Sequence, residues 1–493
     1  MTLADERLKE LDNLSLTADG SALRRCAEAA DLMLRGQYEA ARAALGEMWR
    51  GTGQRPNVEG LGERAAAEVI LQAGVLSGWL GACGQAQGAQ EAAKNLISES
   101  AALFESLGEA ARAAVARGDL ALCYWREGAY DEARVLLTGA FEGVTETVWR
   151  AKLVTRLATV EFSDGRYNAA LALLTEHAPI FDERVSHAIR GSFHNLLALV
   201  LKQLAIVEGR PDYLDRAIIE FTAAIHHQER AGHERFRATN ENNLANLLRQ
   251  VGRYRQAHEH LDRAGAALRR LNDTGLLAQV DETRARVFLA EKKYGEADRV
   301  ITRAVRALEQ GGAAALLAEA LTTQGVTWAR LGNVEGSINA LRRAVRVAEE
   351  AGALSNAGLA ALTLMEEHGA RRALPQRELY ELYLRADGLL KDTRHAETVE
   401  RLRACARVVT RRLSGLELGG EDFTFYDAVH EFEERIIERA LEQAGGSVVR
   451  AARLLGLRHQ TFSSMLNQRH KKLLEKRTPR AKRRRSIIKE PKA

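Results

Sequence analysis

The chain has the length of a multidomain protein and the composition of a helical, globular one. It has 493 residues, of which 46% are hydrophobic, 28% are charged and only 6 are proline, and its many Ala, Leu, Arg and Glu residues favour helix. Its N-terminal residues lack the pattern of a signal peptide, and no apolar stretch approaches the roughly 20 residues of a membrane span. We therefore expect no membrane association and a cytoplasmic, nucleoid-associated location.

The net charge of +5 is unevenly distributed along the chain. Residues 471–493 contain 11 Lys or Arg and 2 Glu, a net charge of +9, so that the other 470 residues sum to −4. A strongly basic end on a mildly acidic body indicates that this end contacts a polyanion.

A Gly-x-Tyr-x-x-Ala pattern recurs along the chain, with clear copies at Gly36, Gly128, Gly165 and Gly252. With weaker copies included, the small residue of the pattern recurs in steps of 40, 37, 47, 40, 40 and 40 residues, at Ala93, Ala133, Ala170, Ala217, Ala257, Ala297 and Ser337. A period of this size is the signature of a solenoid.

Each repeat is predicted to be a pair of helices. The glycine permits a tight turn, the tyrosine begins the second helix, and the small residue lets a neighbouring helix approach. Four positions later, on the same helix face, comes a large apolar residue: Leu137, Leu174, Phe221, Leu261, Ile301 and Leu341. Over residues 21–370 the pattern resembles the tetratricopeptide repeat family, in a long form of about 40 residues.

This resemblance implies an inner, concave groove that binds a peptide or protein effector. Aligned by the repeat, the inner helices project one set of polar residues into it: Asn195, Asn242, Asn246, Arg249, Glu282 and Arg286. Asparagine carries both a donor and an acceptor, so it can bind an extended peptide backbone. The alternative interpretation is that these residues are the solvated polar faces of inner helices.

Three segments flank the repeats. Residues 1–20 are an N-terminal segment, and residues 371–412 are predicted to be helical but lack the repeat pattern, which indicates capping helices. Residues 413–424 contain three glycines and are predicted to be a linker.

The segment 425–475 is predicted to be a small domain of three helices. The first helix runs from about Tyr426 to Gln443 and ends at two glycines. Ser447 caps the second helix, which runs to about Leu455, and a third helix follows from about His459. The first helix carries an apolar stripe over 429–441, made of Val429, Phe432, Ile436, Ile437, Ala440 and Leu441.

The string Gly445-Gly-Ser-Val-Val-Arg-Ala-Ala-Arg-Leu-Leu-Gly456-Leu resembles the Fis-type helix-turn-helix of bacterial transcription regulators. The usual form of that family is Gly-Gly-Asn-x-x-x-Ala-Ala-x-x-Leu-Gly-Ile. The resemblance implies that Ala451 and Ala452 allow a close helix crossing and that the core contains Leu455, Leu457, Phe462 and Leu466. Ser447 replaces the frequent Asn, and the recognition helix differs from the common sequence, so no target sequence is implied.

A recognition helix places its early residues against base edges in the major groove of double-stranded DNA. The candidate DNA-binding residues in and around the motif are Ser447, Arg450, Arg458, His459, Gln460, Thr461, Ser463, Ser464, Asn467, Lys471 and Lys472. Gln460 suits adenine, and Arg458 suits guanine or phosphate. The alternative is a small helical hairpin used for protein contact.

The basic end continues beyond the motif. Residues from Arg469 are predicted to extend the third helix, and residues 476–493 to form a disordered arm whose Arg483, Arg484 and Arg485 contact phosphates. A merely solubilising tail is the alternative. Fis-type domains pair through their first helix, so the apolar stripe predicts a homodimer; alternatively it covers the monomer's own core.

We expect neither enzymatic activity nor a cofactor nor a metal site. No phosphate loop, zinc-protease motif or nucleophile elbow occurs in the chain, and its four cysteines lie far apart. The sequence therefore predicts an all-α protein, a tetratricopeptide-like solenoid of about eight helical pairs followed by a three-helix Fis-type helix-turn-helix and a basic tail. The favoured function is a transcription regulator controlled by an effector; the alternatives are an interaction scaffold with a nucleic-acid-binding tail and an architectural nucleoid protein.

Overall fold

The computed structural model describes residues 17–84, 88–311, 314–369, 373–391, 393, 395–414 and 425–476. Every regular element in these ranges is a helix, which confirms the predicted all-α fold. Across the described residues, no helix is both long enough and apolar enough to cross a membrane.

The chain divides into two compact units, residues 1–405 and 406–493, and the division lies within helix α19. In chain order the helices are α1 Ala18–Leu34, α2 Tyr38–Leu45, α3 Glu63–Gly84, α4 Ala89–Ser106, α5 Ala110–Arg126, α6 Tyr130–Glu142, α7 Thr147–Ser163, α8 Tyr167–Glu176, α9 His187–Val207, α10 Asp212–Arg230, α11 Glu234–Gln250, α12 Tyr254–Arg270, α13 Thr274–Ala290, α14 Tyr294–Gly311, α15 Ala314–Arg330, α16 Val334–Glu350, α17 Leu354–His368, α18 Gln376–Leu389, α19 Ala396–Ser414, α20 Phe425–Gln443, α21 Val448–Leu454 and α22 His459–Gln468.

The turn between the two helices of a pair is set by a residue with a left-handed backbone. Gly128, Gly165 and Gly252 have φ of 81°, 76° and 75°, a region that glycine adopts without steric cost. The amide of Arg253 donates to the carbonyl oxygen of Leu248 at 2.8 Å, which satisfies a carbonyl at the end of α11. The tyrosine that follows each of these glycines is the first residue of α6, α8 and α12, as the repeat pattern predicts.

The small and large apolar residues of the repeat form the core between pairs. The alanines from Ala133 to Ala297 and the large residues from Leu137 to Leu341 are completely buried. The clusters also join successive pairs: Ala158, Leu174 and Leu204 pack together although they belong to α7, α8 and α9. Each pair is therefore stabilised by its neighbours, as in a solenoid.

One repeat is longer than the others, and the structure accounts for the extra length. The step from Ala170 to Ala217 is 47 residues. A short 3-10 turn at Ala178–Ile180 follows α8, and α9 is 21 residues long where α11 has 17. The insertion thus lies in the connection and in the first helix of the next pair.

The second unit contains a three-helix domain around one small core. Ile437, Leu441, Ala451, Phe462 and Leu466 are buried together, which agrees with the core that the Fis-type pattern implies. Leu455 and Leu457 pack at its edge.

The predicted extension of the third helix is wrong. Helix α22 ends at Gln468, because the amides of Arg469 and His470 both donate to the carbonyl oxygen of Met465. A separate 3-10 turn, Lys471–Lys476, then buries Leu473 in the domain core.

Candidate functional site

The helix-turn-helix is built from two capped turns. Gly445 and Gly446 have φ of 59° and 75°, and the Gly446 amide donates to the Leu441 carbonyl oxygen at 2.8 Å. The Ser447 hydroxyl then accepts from the Arg450 amide at 3.5 Å and caps α21. Ser447 is thus the N-cap residue of α21, as its side-chain type predicts.

The second turn presents the start of α22. Gly456, with φ of 66°, separates α21 from α22, and Ala451 and Ala452 are buried at the helix crossing. Arg458 is the N-cap residue of α22. Buried Phe462 and Leu466 fix the inner face of the helix, so its other face is open to a ligand.

The predicted DNA-binding residues that the structure describes are mostly exposed. The exposed members of the set are Arg450, Arg458, Gln460, Thr461, Ser464, Asn467, Lys471 and Lys472. His459, Ser463 and the capping residue Ser447 are half-buried. Arg483, Arg484 and Arg485 lie outside the described residues.

The apolar stripe of α20 divides into two faces. Ile437, Ala440 and Leu441 are buried in the domain core, whereas Val429, Phe432 and Ile436 are exposed, Phe432 by 55%. The exposed three are spaced at i, i+3 and i+7, so they share one side of the helix. The interpretation that the stripe covers the monomer's own core therefore accounts for only half of it.

In the solenoid, the predicted groove residues are polar but most are already hydrogen-bonded to one another. Asn243 Nδ2 donates to Asn195 Oδ1 at 3.2 Å, and Arg249 Nε donates to Asn246 Oδ1 at 3.1 Å. Asn242 is only 9% exposed, and its Oδ1 has no partner among the described residues. Asn242 is thus a largely buried residue rather than an open groove residue.

Glu282 and Arg286 form an ion pair within α13, and Thr323 of α15 contacts both residues. The distance from Arg286 Nε to Glu282 Oε1 is 2.5 Å, and Arg286 Nε also lies 3.4 Å from Thr323 Oγ1. The Glu282 carboxylate holds the pKa of Arg286 above its ordinary value. Arg286 therefore stays protonated, and the Glu282 carboxylate balances its charge.

Lys202 of α9 is a further cation that the sequence reasoning missed, and the charges of Arg249 and Arg286 act on it. Burial lowers its pKa, and the charges of Arg249 and Arg286 lower it further, whereas Glu397 opposes them. Burial and Arg286 likewise lower the pKa of Arg249. Lys202 and Arg249 form no ion pair among the described residues, although Glu397 acts electrostatically on Lys202 and Glu282 on Arg249. Lys202 lies on α9, the first helix of its pair, as Asn195 does. This position in the repeat is the sequence signal that could have identified it.

The groove deepens toward the end of the first unit. A cavity of about 500 Å³ is lined by α13, α15, α17 and α19, through Arg286, Glu319, Thr323, Asn356, Thr363 and Arg401. Arg401 Nη2 donates to Thr363 Oγ1 at 2.9 Å, and burial raises the pKa of Glu319. The cavity thus has a mixed polar lining with both signs of charge.

One hydrogen bond joins two residues of the first unit that are 228 positions apart in the sequence. The Tyr167 hydroxyl, at the start of α8, is hydrogen-bonded to Nδ1 of His395, just before α19. Burial raises the pKa of Tyr167 to about 12. The segment before α19 therefore crosses to the middle of the repeat array.

Three of the four cysteines have described side chains, and all three are buried thiols. Cys26, Cys123 and Cys405 are free and buried, and burial raises the pKa of the Cys123 thiol to about 11. Cys83 lies in α3, but its side chain is outside the described part of the structure.

Comparisons with known proteins identify the C-terminal domain. Residues 428–464 match the family described as bacterial regulatory protein, Fis family. No curated protein matches the chain.

Several solved structures are similar to parts of the chain. The Rap protein complexed with competence and sporulation factor is 13% identical, with a TM-score of 0.49 over 79% of this chain and 99% of that chain. A signal transduction ATPase with numerous domains and a tetratricopeptide repeat sensor, from Pyrococcus horikoshii, is 13% identical, with a TM-score of 0.48 over 74% and 57%. A tetratricopeptide repeat protein from Parabacteroides merdae is 13% identical, with a TM-score of 0.37 over 59% and 96%. The chain joins a solenoid of tetratricopeptide-like helical pairs to a C-terminal helix-turn-helix domain of the Fis family.

Proposed function

We propose that the protein is a DNA-binding transcription regulator whose solenoid binds a peptide or protein effector. The observation that carries the proposal is the exposed start of α22, which follows N-cap residue Arg458 in a domain of the Fis family. An exposed polar helix start after a tight turn is the geometry with which helix-turn-helix proteins enter the major groove.

Each candidate side chain has a role that suits its chemistry. Arg458 and Gln460 have the donor patterns for guanine and adenine edges. Ser464 and Asn467 lie further along α22 and suit bases or phosphates, and exposed Lys471 suits phosphate. Residues 477–493 would add phosphate contacts that carry no sequence information.

A genome-wide binding map of the full-length tagged protein tests this function. We expect discrete sites, with footprints on inverted repeats, and an affinity loss of about 5- to 150-fold for Arg458→Ala at those sites. Arg255→Ala is the matched control, because Arg255 is 93% exposed on the solenoid. Its DNA affinity should equal that of the wild type.

Other binding patterns would favour other functions. Diffuse protection without discrete sites would indicate an architectural protein. No protection, or equal affinity of the wild type and Arg458→Ala, would indicate an interaction scaffold and contradict the proposal.

A second copy of this chain is the proposed occupant of the exposed α20 face. Val429, Phe432 and Ile436 form an apolar face with no partner among the described residues. A regulator that binds inverted repeats needs two DNA-binding domains, one for each half-site. Phe432→Glu should yield a monomer in sedimentation and weaken binding to the inverted repeat. A dimer unaffected by Phe432→Glu would contradict pairing through this face.

We infer that the effector carries a carboxylate. Lys202 and Arg249 stand in the groove with lowered pKa values and without an ion-pair partner among the described residues. A ligand carboxylate near them would offset their mutual repulsion and their burial. The side chain of Asn246, which already accepts from Arg249, would orient that arginine.

A library of short peptides with free C-termini, compared with the same peptides amidated, tests the effector class. Binding should favour free or acidic peptides and should be lost in Arg249→Ala and in Asn246→Ala. Arg255→Ala should bind as the wild type does. Equal binding by Arg249→Ala would exclude this groove as the site, and Asn242→Ala paired with Asn246→Ala tests the wider inner face.

A further inference from the structure

We propose that the C-terminal domain binds a divalent transition-metal ion of the zinc type between α20 and the turn that follows α22. The ligands are His430, Glu434 and His470. Each offers one ligand atom, and these three atoms lie within 4.8 Å of one another. The proposal is independent of the effector and of the DNA target.

The three residues converge from two elements of the domain. His430 and Glu434 are four residues apart on α20, so they share one face of that helix. His470 lies between the end of α22 and the 3-10 turn. The ring centroids of His430 and His470 are 4.6 Å apart. The fold therefore brings the imidazole of His470, which follows α22, close to His430 and Glu434 on α20.

His470 is buried with an unused nitrogen. Its side chain is 1% exposed, and its Nδ1 atom has no hydrogen-bond partner among the described residues. A buried polar atom left without a partner destabilises the folded state. Coordination to a metal ion would satisfy this nitrogen, and a bound ion is one of the recognised explanations for such an atom.

Hydrogen bonds to the other ring nitrogens leave Nδ1 as the ligand atom. His470 Nε2 lies 3.3 Å from Glu433 Oε2, and His430 Nε2 lies 2.9 Å from the carbonyl oxygen of Arg469. A carbonyl oxygen only accepts, so Nε2 of His430 carries the proton and Nδ1 carries the lone pair. Metal-binding histidines typically donate their second N–H to a carboxylate or a carbonyl in this way.

Two imidazoles and one carboxylate are a ligand set for zinc with a fourth position left for water. Hard cations such as Mg²⁺ and Ca²⁺ prefer oxygen ligands and do not suit this set. Ligand atoms around tetrahedral zinc are about 3.4 Å apart. Exposed His430 and half-buried Glu434 therefore need to close by no more than about 1.4 Å on binding.

Titration of the metal-free full-length protein with Co²⁺, followed by visible absorption and repeated with Zn²⁺ in a calorimeter, tests the site. We expect one equivalent in the wild type and loss of that equivalent in His430→Gln and in Glu434→Gln. Glu433→Gln should keep the site with affinity lowered about 10- to 100-fold. The control is His258→Gln, because His258 also bonds to a glutamate, Glu291, at 2.9 Å.

The two α20 variants carry the test, because substitution of buried His470 can unfold the domain. Equal stoichiometry and affinity in the wild type, His430→Gln and Glu434→Gln would overturn the proposal. So would the absence of stoichiometric binding by the wild type, or loss of the equivalent in His258→Gln alone.

Discussion

Lys292 occupies a position that glycine holds in the other turns within helical pairs. Its φ is 63°, where Gly252 has 75° in the preceding pair. The hydrogen bonds are the same as in the glycine turns, since the Lys293 amide donates to the Phe288 carbonyl oxygen at 2.8 Å. A left-handed lysine costs about 1–2 kcal/mol in backbone strain.

Lys292→Gly should therefore raise the free energy of unfolding. The gain is about 0.5–1 kcal/mol, because relief of strain is partly offset by the greater freedom of glycine in the unfolded chain. Urea unfolding followed by circular dichroism measures it. Gly252→Lys is the reverse control and should destabilise; a loss of stability in Lys292→Gly would contradict the argument.

His233 links pH to the stability of the solenoid. It is buried and caps α11, where the Phe236 amide donates to its Nδ1 at 3.3 Å. Its pKa is lowered from 6.5 to about 4, mainly by burial; a backbone hydrogen bond opposes this shift and the charge of Arg235 adds to it. The neutral ring is therefore the form that the folded state requires.

Because the folded pKa lies below the unfolded one, the contribution of His233 is fully present above pH 6.5 and is lost as pH falls from 6.5 toward 4. The loss approaches about 3 kcal/mol at the acid end. His233→Asn keeps a capping side chain and removes the titration. Its free energy of unfolding should fall less between pH 7 and pH 5 than that of the wild type, and parallel curves would refute the role of His233.

At the scale of helices, the sequence predicted most where the pattern is periodic. The repeat predicted the turn glycines, the tyrosines that begin α6, α8 and α12, and the buried alanines, because each follows from local geometry. It did not predict the end of α22. Residues after Arg469 are good helix formers, and the helix stops because His470 and Leu473 pack into the domain instead.

The crossing of α21 within the C-terminal domain depends on small side chains. Ala451 is completely buried in the domain core. Ala451→Leu should overpack this core and destabilise the domain by about 1–3 kcal/mol. Hydrogen exchange of the α20–α22 amides in the full-length protein should accelerate correspondingly.

Leu454→Ala is the matched control for that substitution, because Leu454 is on the same helix and exposed. Its exchange rates should stay close to those of the wild type. Unchanged protection in Ala451→Leu would show that the crossing tolerates bulk.

At the scale of the whole chain, charge and long-range contact matter more than local pattern. The alignment of the inner helices identified Arg249 and Arg286. It did not identify the charged residues from elsewhere in the chain that act on the same region. Lys202 lies on another helical pair and Glu397 is far along the chain. Even so, the charges of Arg249, Arg286 and Glu397 all shift the pKa of Lys202. A repeat pattern specifies neighbours, whereas the curvature that brings these residues together arises from small differences summed over many pairs.

The basic arm should contribute to DNA affinity without contributing to sequence choice. Lys476, the first residue of the predicted arm over 476–493, is bonded to Glu442 at 2.9 Å, and the residues after it lie outside the described structure. Removal of residues 477–493 should weaken binding to all sequences and flatten the dependence of affinity on salt. Fluorescence anisotropy at several salt concentrations measures both, and an unchanged slope would reject a phosphate-binding arm.

The hydrogen bond between Tyr167 and His395 has a consequence for the order of events during synthesis. Residue 167 leaves the ribosome 228 residues before its partner, which at about 5–20 residues per second is a delay of roughly 10–50 s. Successive helical pairs can form as they emerge, since each needs only its neighbours. The Tyr167–His395 hydrogen bond therefore forms only after that interval, and residues 425–476 of the C-terminal domain are synthesised later still.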